Sequence, residues 1–259
     1  MVKNIKSFNE AKKLVDLALY TGQLLIISGA EIYRAEDTVK RICEATPNID
    51  SVNAYALPSA LFISIEYQGE SYTKFKRVEP LRTNLSSIDK LNTFSRKFVS
   101  SKEYISYEDA FLELSSIEKE NSMDAWKVNL SGAMAGAFFT LLFGGDFRDF
   151  FCTFFITAFM SYVLNKISNF KFTFMLDNFI GAFIVSILAV ISVKLNIGSN
   201  VDKIIIGAIM VLVPGVAATN ASRDIMNGDF LSGVIGFTKA IFLALSIALG
   251  VGVVLKVFI

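Results

Sequence analysis

Charge is spread so unevenly along this chain that the imbalance constrains its architecture before any motif is read. The first 127 of 259 residues hold 17 of the 25 Lys and Arg and 18 of the 24 Asp and Glu, leaving eight and six for the rest. After Trp126 the chain is mostly Phe, Ile, Leu, Val, Ala and Gly. A soluble core needs polar faces to cover it, and this segment has too few. The expected fold is an α+β cytoplasmic domain over residues 1–125, followed by an α-helical transmembrane domain over 126–259. A formal net charge of +1 gives no reason to expect nucleic acid as a partner. Histidine is absent, which excludes a His triad, a His general base, a His proton relay and most zinc sites. Cys43 and Cys152 fall in different halves without a CxxC, so neither a disulfide framework nor a metal knuckle is expected. The first apolar stretch, LVDLALYTGQLLII, is interrupted by Asp16 and Gln23 and does not read as a cleavable signal.

Periodicity organises the charged part. Phe8, Ala11, Leu14, Val15, Ala18 and Leu19 form a helical stripe over 8–27. Ser28 precedes Glu31 at the spacing of a capping box, so a second helix is predicted from Gly29 to about Ala45, closed before Pro47. Its buried face would be Ile32, Ala35, Val39 and Ile42. The stretch SGAEIYRAED, residues 28–37, packs Glu31, Arg34, Glu36 and Asp37 into ten positions. Glu31–Arg34, Glu36–Lys40 and Asp37–Arg41 are spaced i,i+3 or i,i+4, so the group reads either as a solvated helix face or as a site. Alternation with bends at Pro58 and Gly69 predicts a meander of strands at 51–57, 60–68 and 71–79. Helices at 84–100 and 106–120 follow, the latter opened by Ser106 and Asp109.

Short polar breaks divide the remainder into five predicted spans at about 128–143, 147–165, 172–194, 203–221 and 230–256, set against the ~20 apolar residues a crossing needs. Gly132/Gly136 and Ser232/Gly236 offer small-residue packing faces. A charged domain ahead of the first span is most easily left in the cytoplasm, which places the Lys166/Lys171 loop and Arg223 inside. Polar groups within spans are costly and usually functional. Asp177 and Asn178 sit near the start of the third span. Pro214-Gly215 breaks the fourth, followed by Asn220, Arg223 and Asp224, and Lys239 lies about nine residues into the fifth. Broken helices with polar side chains at membrane depth build substrate and ion sites. Asp177, Asn178, Pro214, Gly215, Asn220, Asp224 and Lys239 are therefore the candidate substrate and ion pathway. Lys239 is expected to have Asp177, Asp224 or a substrate carboxylate as its anionic neighbour. The plainer readings are a snorkelling Lys239, a helix-end Asp177 and a kink that serves packing.

Four separated segments carry more than pattern: SGAEIYRAEDTVKRI from Ser28, NLSSIDKLNTFSR from Asn84, LLFGGD from Leu141 and LVPGVAATNASRDIMNGDFLSG from Leu212. In this order, over nearly the whole chain, they resemble the threonine/serine exporter family in its split form, where one subunit carries a cytoplasmic domain and five spans. The resemblance implies an exporter of small hydrophilic metabolites in the plasma membrane. The substrates would be threonine and serine, or dicarboxylates such as succinate, as in a related bacterial two-subunit system. It also implies a separate small integral membrane partner subunit and an oligomer, and neither an enzyme nor any metal or cofactor. Glu31, Arg34, Glu36, Asp37 and Arg96 would be its cytoplasmic motif residues. Without a GxxxxGK[ST] loop, export would be driven by an ion gradient. Two alternatives stand beside this reading: a membrane-tethered hydrolase using the acidic and arginine cluster at 31–37, and a non-transporting regulatory subunit.

Overall fold

The computed structural model describes residues 5–79, 83–100, 106–119, 124–167 and 173–258. Lys171, the helix end expected at 120 and the span start expected at 172 lie outside them. The chain divides into two units, Met1–Ser122 with Ala218–Phe237 and Met123–Ala217 with Thr238–Ile259.

The first unit opens with α1 (Phe8–Ile27) and α2 (Ile32–Glu44), continues through β1 (Ser51–Leu57), β2 (Ala60–Tyr67) and β3 (Glu70–Arg77), and then α3 (Leu85–Ser100) and α4 (Tyr107–Lys119). Ser7 caps α1 by accepting the amide of Glu10. The strands form an antiparallel meander in the order β1-β2-β3, with Ser51 opposite Glu66 and Tyr67 opposite Glu70. Alternation sends Leu61, Ile63 and Ile65 of β2 inward, where they share one core with Leu14, Leu25, Ile42 and Phe94. The face expected for the second helix is buried at all four positions, Ile32, Ala35, Val39 and Ile42. Helix α1 approaches it closely because of Gly22, where a Cβ would lie 2.4 Å from Val39 Cγ2 and 2.6 Å from Leu61 Cδ2.

The start of the second helix differs from expectation. Ser28 closes α1, Gly29 turns the chain at φ +80, and Glu31 becomes the N-cap of α2 without a side-chain capping bond. The Ser28–Glu31 capping box does not form, because the Glu31 carboxylate is engaged elsewhere. The later one forms in part, with the Asp109 amide donating to Ser106 Oγ at 3.1 Å.

The second unit holds α5 (Ala125–Leu142), α6 (Phe147–Ile167), α7 (Phe174–Lys194) and α8 (Val201–Ile209). Helices α9 (Gly215–Met226) and α10 (Phe230–Phe258) each pass from one unit to the other. Among the described residues three helical stretches are long and apolar enough to cross a membrane: Phe147–Ile167, Met175–Lys194 and Phe230–Phe258. Five spans are not supported. The first expected span is α5, whose opening turns carry Lys127 and Asn129 and shorten its apolar run. The fourth is divided by Pro214, which has no amide proton to donate and crowds the preceding turn. The chain leaves helical geometry over 210–214, with the Leu212 amide on the Ile209 carbonyl at 2.8 Å, and resumes as the polar α9.

Small residues bring the helices of this unit together. A Cβ on Gly207 of α8 would lie 1.9 Å from Thr140 Oγ1 and 2.8 Å from the Gly136 carbonyl of α5. Thr140 shares a 2.8 Å hydroxyl contact with Thr153 of α6, and both are fully buried. Cys152, Ile156 and Met160 of α6 pack with Val185 and Ala189 of α7 and Ile204 and Ala208 of α8.

Candidate functional site

The turn between α1 and α2 is a meeting point. Its Ser28 carbonyl accepts the Asn84 amide at 2.9 Å, and Asn84 Oδ1 in turn accepts the Ser87 amide at 3.1 Å as α3 begins. Its Gly29 carbonyl accepts Asn220 Nδ2 of α9 at 3.0 Å. Three of the four motif segments therefore converge within the first unit, although they start near residues 28, 84 and 212.

Helix α2 begins with free amides and no cap of its own. Asp224 of α9 supplies one from 192 positions away, its Oδ1 accepting the Ile32 amide at 3.0 Å and the Tyr33 amide at 3.4 Å. One residue earlier, Arg223 Nη1 donates to Glu31 Oε1 at 2.7 Å, while Arg34 Nη1 donates to Glu31 Oε2 at 3.2 Å. The glutamate side chain is only 7% exposed, whereas those of Arg34 and Arg223 are 41% and 55% exposed. One buried carboxylate thus holds two guanidinium groups that are themselves partly exposed.

Electrostatics separates the acids. Burial raises Glu31, but its own backbone amide, Arg223 and Arg34 outweigh that and leave it below its ordinary value. Burial pushes Asp224 up to about 6, against the Tyr33 and Ile32 amides, with the charges of Asp229 and Glu31 adding to the rise. Asp229 is raised by burial as well. Glu36 is raised by burial and by Asp229, although its carboxylate accepts the Ala56 amide at 2.9 Å. Glu36 therefore ties α2 to β1, and the expected Glu36–Lys40 pair gives way to Lys40–Glu44 at 3.7 Å. Asp37 pairs with Arg41 at 2.8 Å on the exposed face. Arg96 bonds Thr93 of its own helix and is not brought into the cluster.

The fourth motif, LLFGGD, builds a second polar knot in the other unit. Asp146 and Asp149 cap each other's amides at 2.9 and 3.2 Å as α6 starts. Asp149, fully buried, also accepts the Ser199 amide at 2.7 Å, the Asn200 amide at 3.0 Å and Asn200 Nδ2 at 3.0 Å. This knot was missed in the sequence, although Asp at N-cap and N3 after a Gly-Gly turn is a readable helix start.

Over residues 16–258 the chain matches the threonine/serine exporter family. The chain belongs to the threonine/serine exporter family. No curated protein and no solved structure matches it. The family is one of membrane transporters, in keeping with the long apolar helices.

In this exporter the remaining pathway candidates lie in the second unit. Asp177 occupies the first turn of α7, and its Oδ1 is buried with no hydrogen-bond partner among the described residues. Asn178 follows it, and Pro214-Gly215 forms the break between α8 and α9. Gly250 of α10 packs against Phe179 and Ala182 of α7, and Lys194 lies 5.5 Å from the Phe258 ring, so the two helices run parallel. Lys239 comes eleven residues before Gly250, about 16 Å of helical rise, whereas Asp177 is two residues before Phe179. Lys239 is exposed and offset along the helix from Asp177, one of the anionic neighbours expected for it. Asn220 and Asp224 join the α2 cluster in the first unit.

Proposed function

We propose that the chain is the larger subunit of a secondary exporter in the plasma membrane. Its N-terminal unit would lie in the cytoplasm, and a small integral membrane partner would complete the pathway. The cargo is a small hydrophilic carboxylate, either threonine and serine or a dicarboxylate such as succinate. The observation that carries this reading is the junction of α9 with the start of α2, where Arg223 and Arg34 share Glu31 and Asp224 caps α2.

A metabolite carboxylate has the same chemistry as Glu31 and matches the forks of the two partly exposed arginines. Exchanging one carboxylate partner for another leaves each arginine paired throughout. It would also loosen the Arg223–Glu31 link. Helix α9 begins directly after the Pro214 break, so a change at Arg223 reaches the broken helix through two turns of one element. The hydrolytic alternative fits less well. A glutamate held below its ordinary pKa by two arginines is a poor proton donor at neutral pH.

The test is efflux of serine, threonine and succinate from cells co-expressing the chain with its partner, for Glu31→Gln, Arg223→Lys and Arg223→Gln, beside membrane abundance. Export should fall at least tenfold in Glu31→Gln and Arg223→Gln and recover in part in Arg223→Lys. Wild-type efflux in both neutral variants would sink the proposal.

A further inference from the structure

A groove of about 530 Å³ opens between the first turns of α6 and the last turns of α7, wholly within the second unit. Its walls are Phe151, Phe155, Ile156, Leu188 and Ile191, with Cys152 and Ser192 at its floor. Gly198 lies against both, where a Cβ would be 3.3 Å from Cys152 Sγ and from Ser192 Oγ. A single charged side chain lines the groove. Arg148, in the first turn of α6, is exposed, and its charge helps to hold the nearby Asp146 carboxyl below its ordinary value.

We propose that this groove holds one acyl chain of an anionic phospholipid, with Arg148 on its phosphate. Both helices that form it are long and apolar enough to cross a membrane. Phe147, Phe151, Phe155 and Phe159 recur every fourth residue on α6 and are all exposed, a stripe that faces hydrocarbon. From Arg148 to Ile156 the groove descends eight residues, about 12 Å, comparable to the ~15 Å that one leaflet contributes to a ~30 Å hydrocarbon core. The cation sits at the interfacial end and the deeper wall is apolar, which is the polarity of a lipid from headgroup to tail. A guanidinium fork matches phosphate oxygens in a bidentate manner. This assignment does not depend on what is exported.

Native mass spectrometry of the full chain in mild detergent tests it, with phosphatidylglycerol and diacylglycerol as probes. The wild type should retain one phosphatidylglycerol, with at least fivefold less diacylglycerol, and millimolar inorganic phosphate should not displace the lipid. Arg148→Gln should lower phosphatidylglycerol to the diacylglycerol level and Arg148→Lys should fall between. Leu195→Trp, which fills the groove from its exposed rim, should lower both. A melting curve for each variant verifies folding. Equal retention of the two lipids, retention unaffected by Arg148→Gln and Leu195→Trp, displacement by phosphate, or recovery as a lipid-free dimer would each overturn the assignment.

Discussion

Replacing Asp224 separates its two roles, as a cap and as a buried charge. Asp224→Ala removes the acceptor used by the Ile32 and Tyr33 amides, and loss of a helix cap costs about 0.5–2 kcal/mol. Against this stands the carboxyl's own burden, since its pKa rises from 3.8 to about 6. Two pKa units correspond to about 3 kcal/mol against the ionised form at neutral pH. The folded pKa is the higher one, so the native state binds this proton more tightly than the unfolded chain. The resulting stabilisation is full below about pH 4 and is lost as pH rises through about 6. Acidification from pH 7 to 5 should therefore stabilise the wild type through this residue by about 1–2 kcal/mol. Asp224→Asn keeps an acceptor oxygen and should lack that gain. Glu36 and Asp229 shift in the same direction but are common to both proteins. Glu31 is held below its ordinary value by its own backbone amide, Arg223 and Arg34, away from this window. Denaturant titrations at the two pH values read the difference, and hydrogen exchange over residues 30–36 reads the cap. Exchange there should speed up about tenfold in Asp224→Ala, equivalent to 1.4 kcal/mol, and stay near wild type in Asp224→Asn. A wild-type pH slope in Asp224→Asn, or unchanged exchange in Asp224→Ala, would refute the reasoning.

The helix crossing in the second unit predicts that Gly207→Ala destabilises by more than about 1–3 kcal/mol, because its Cβ would meet Thr140 Oγ1 at 1.9 Å. Gly252→Ala, with nothing within 4 Å, should melt like the wild type in detergent. Asp149→Ala leaves the Ser199 and Asn200 amides and Asn200 Nδ2 without their acceptor. A loss of at least about 2 kcal/mol is expected, and an unchanged unfolding midpoint would show that water replaces the carboxylate. On α2, Asp37→Ala breaks only an exposed pair and should leave efflux and melting intact, whereas Glu36→Ala frees the Ala56 amide and should lower both. Equal behaviour of the two variants in a paired efflux and melting assay would contradict the assignment.

Local rules read the first unit well where side chains decide locally. The meander, the buried stripe of α2 and the extent of α1 follow from alternation and period. They failed at Glu31. A Ser-x-x-Glu spacing predicts a capping box, but the box depends on the glutamate turning back to its own helix end. Two arginines, one of them 192 residues away, engage it instead, and the distant Asp224 takes over the vacated cap. Spacing within one segment carries no trace of such a partner. The motif residues were identifiable as chemistry-bearing, but that SGAEIYR and TNASRD contact each other was not.

The same limit explains the miscounted spans, and α10 shows how. Hydropathy registers a residue as apolar without telling whether lipid or protein covers it. Lys239 and Lys256 bracket a 16-residue stretch with no charge, and the rise between the two lysines is about 26 Å, close to the ~30 Å of a hydrocarbon core. The residues before Lys239 serve the first unit instead. A Cβ on Gly233 would lie 2.8 Å from the Ala221 carbonyl, one on Gly236 would lie 2.8 Å from Ala221 Cβ, and Ser232 donates to the Ala56 carbonyl at 3.4 Å. One 29-residue helix thus has a lipid-length segment and a shorter protein-facing segment, and the division between the two units falls between Phe237 and Thr238, just before the lysine. Lys239 marks that change of surroundings. The Arg223–Glu31 junction belongs to the first unit, as do the turns of α10 that precede Lys239.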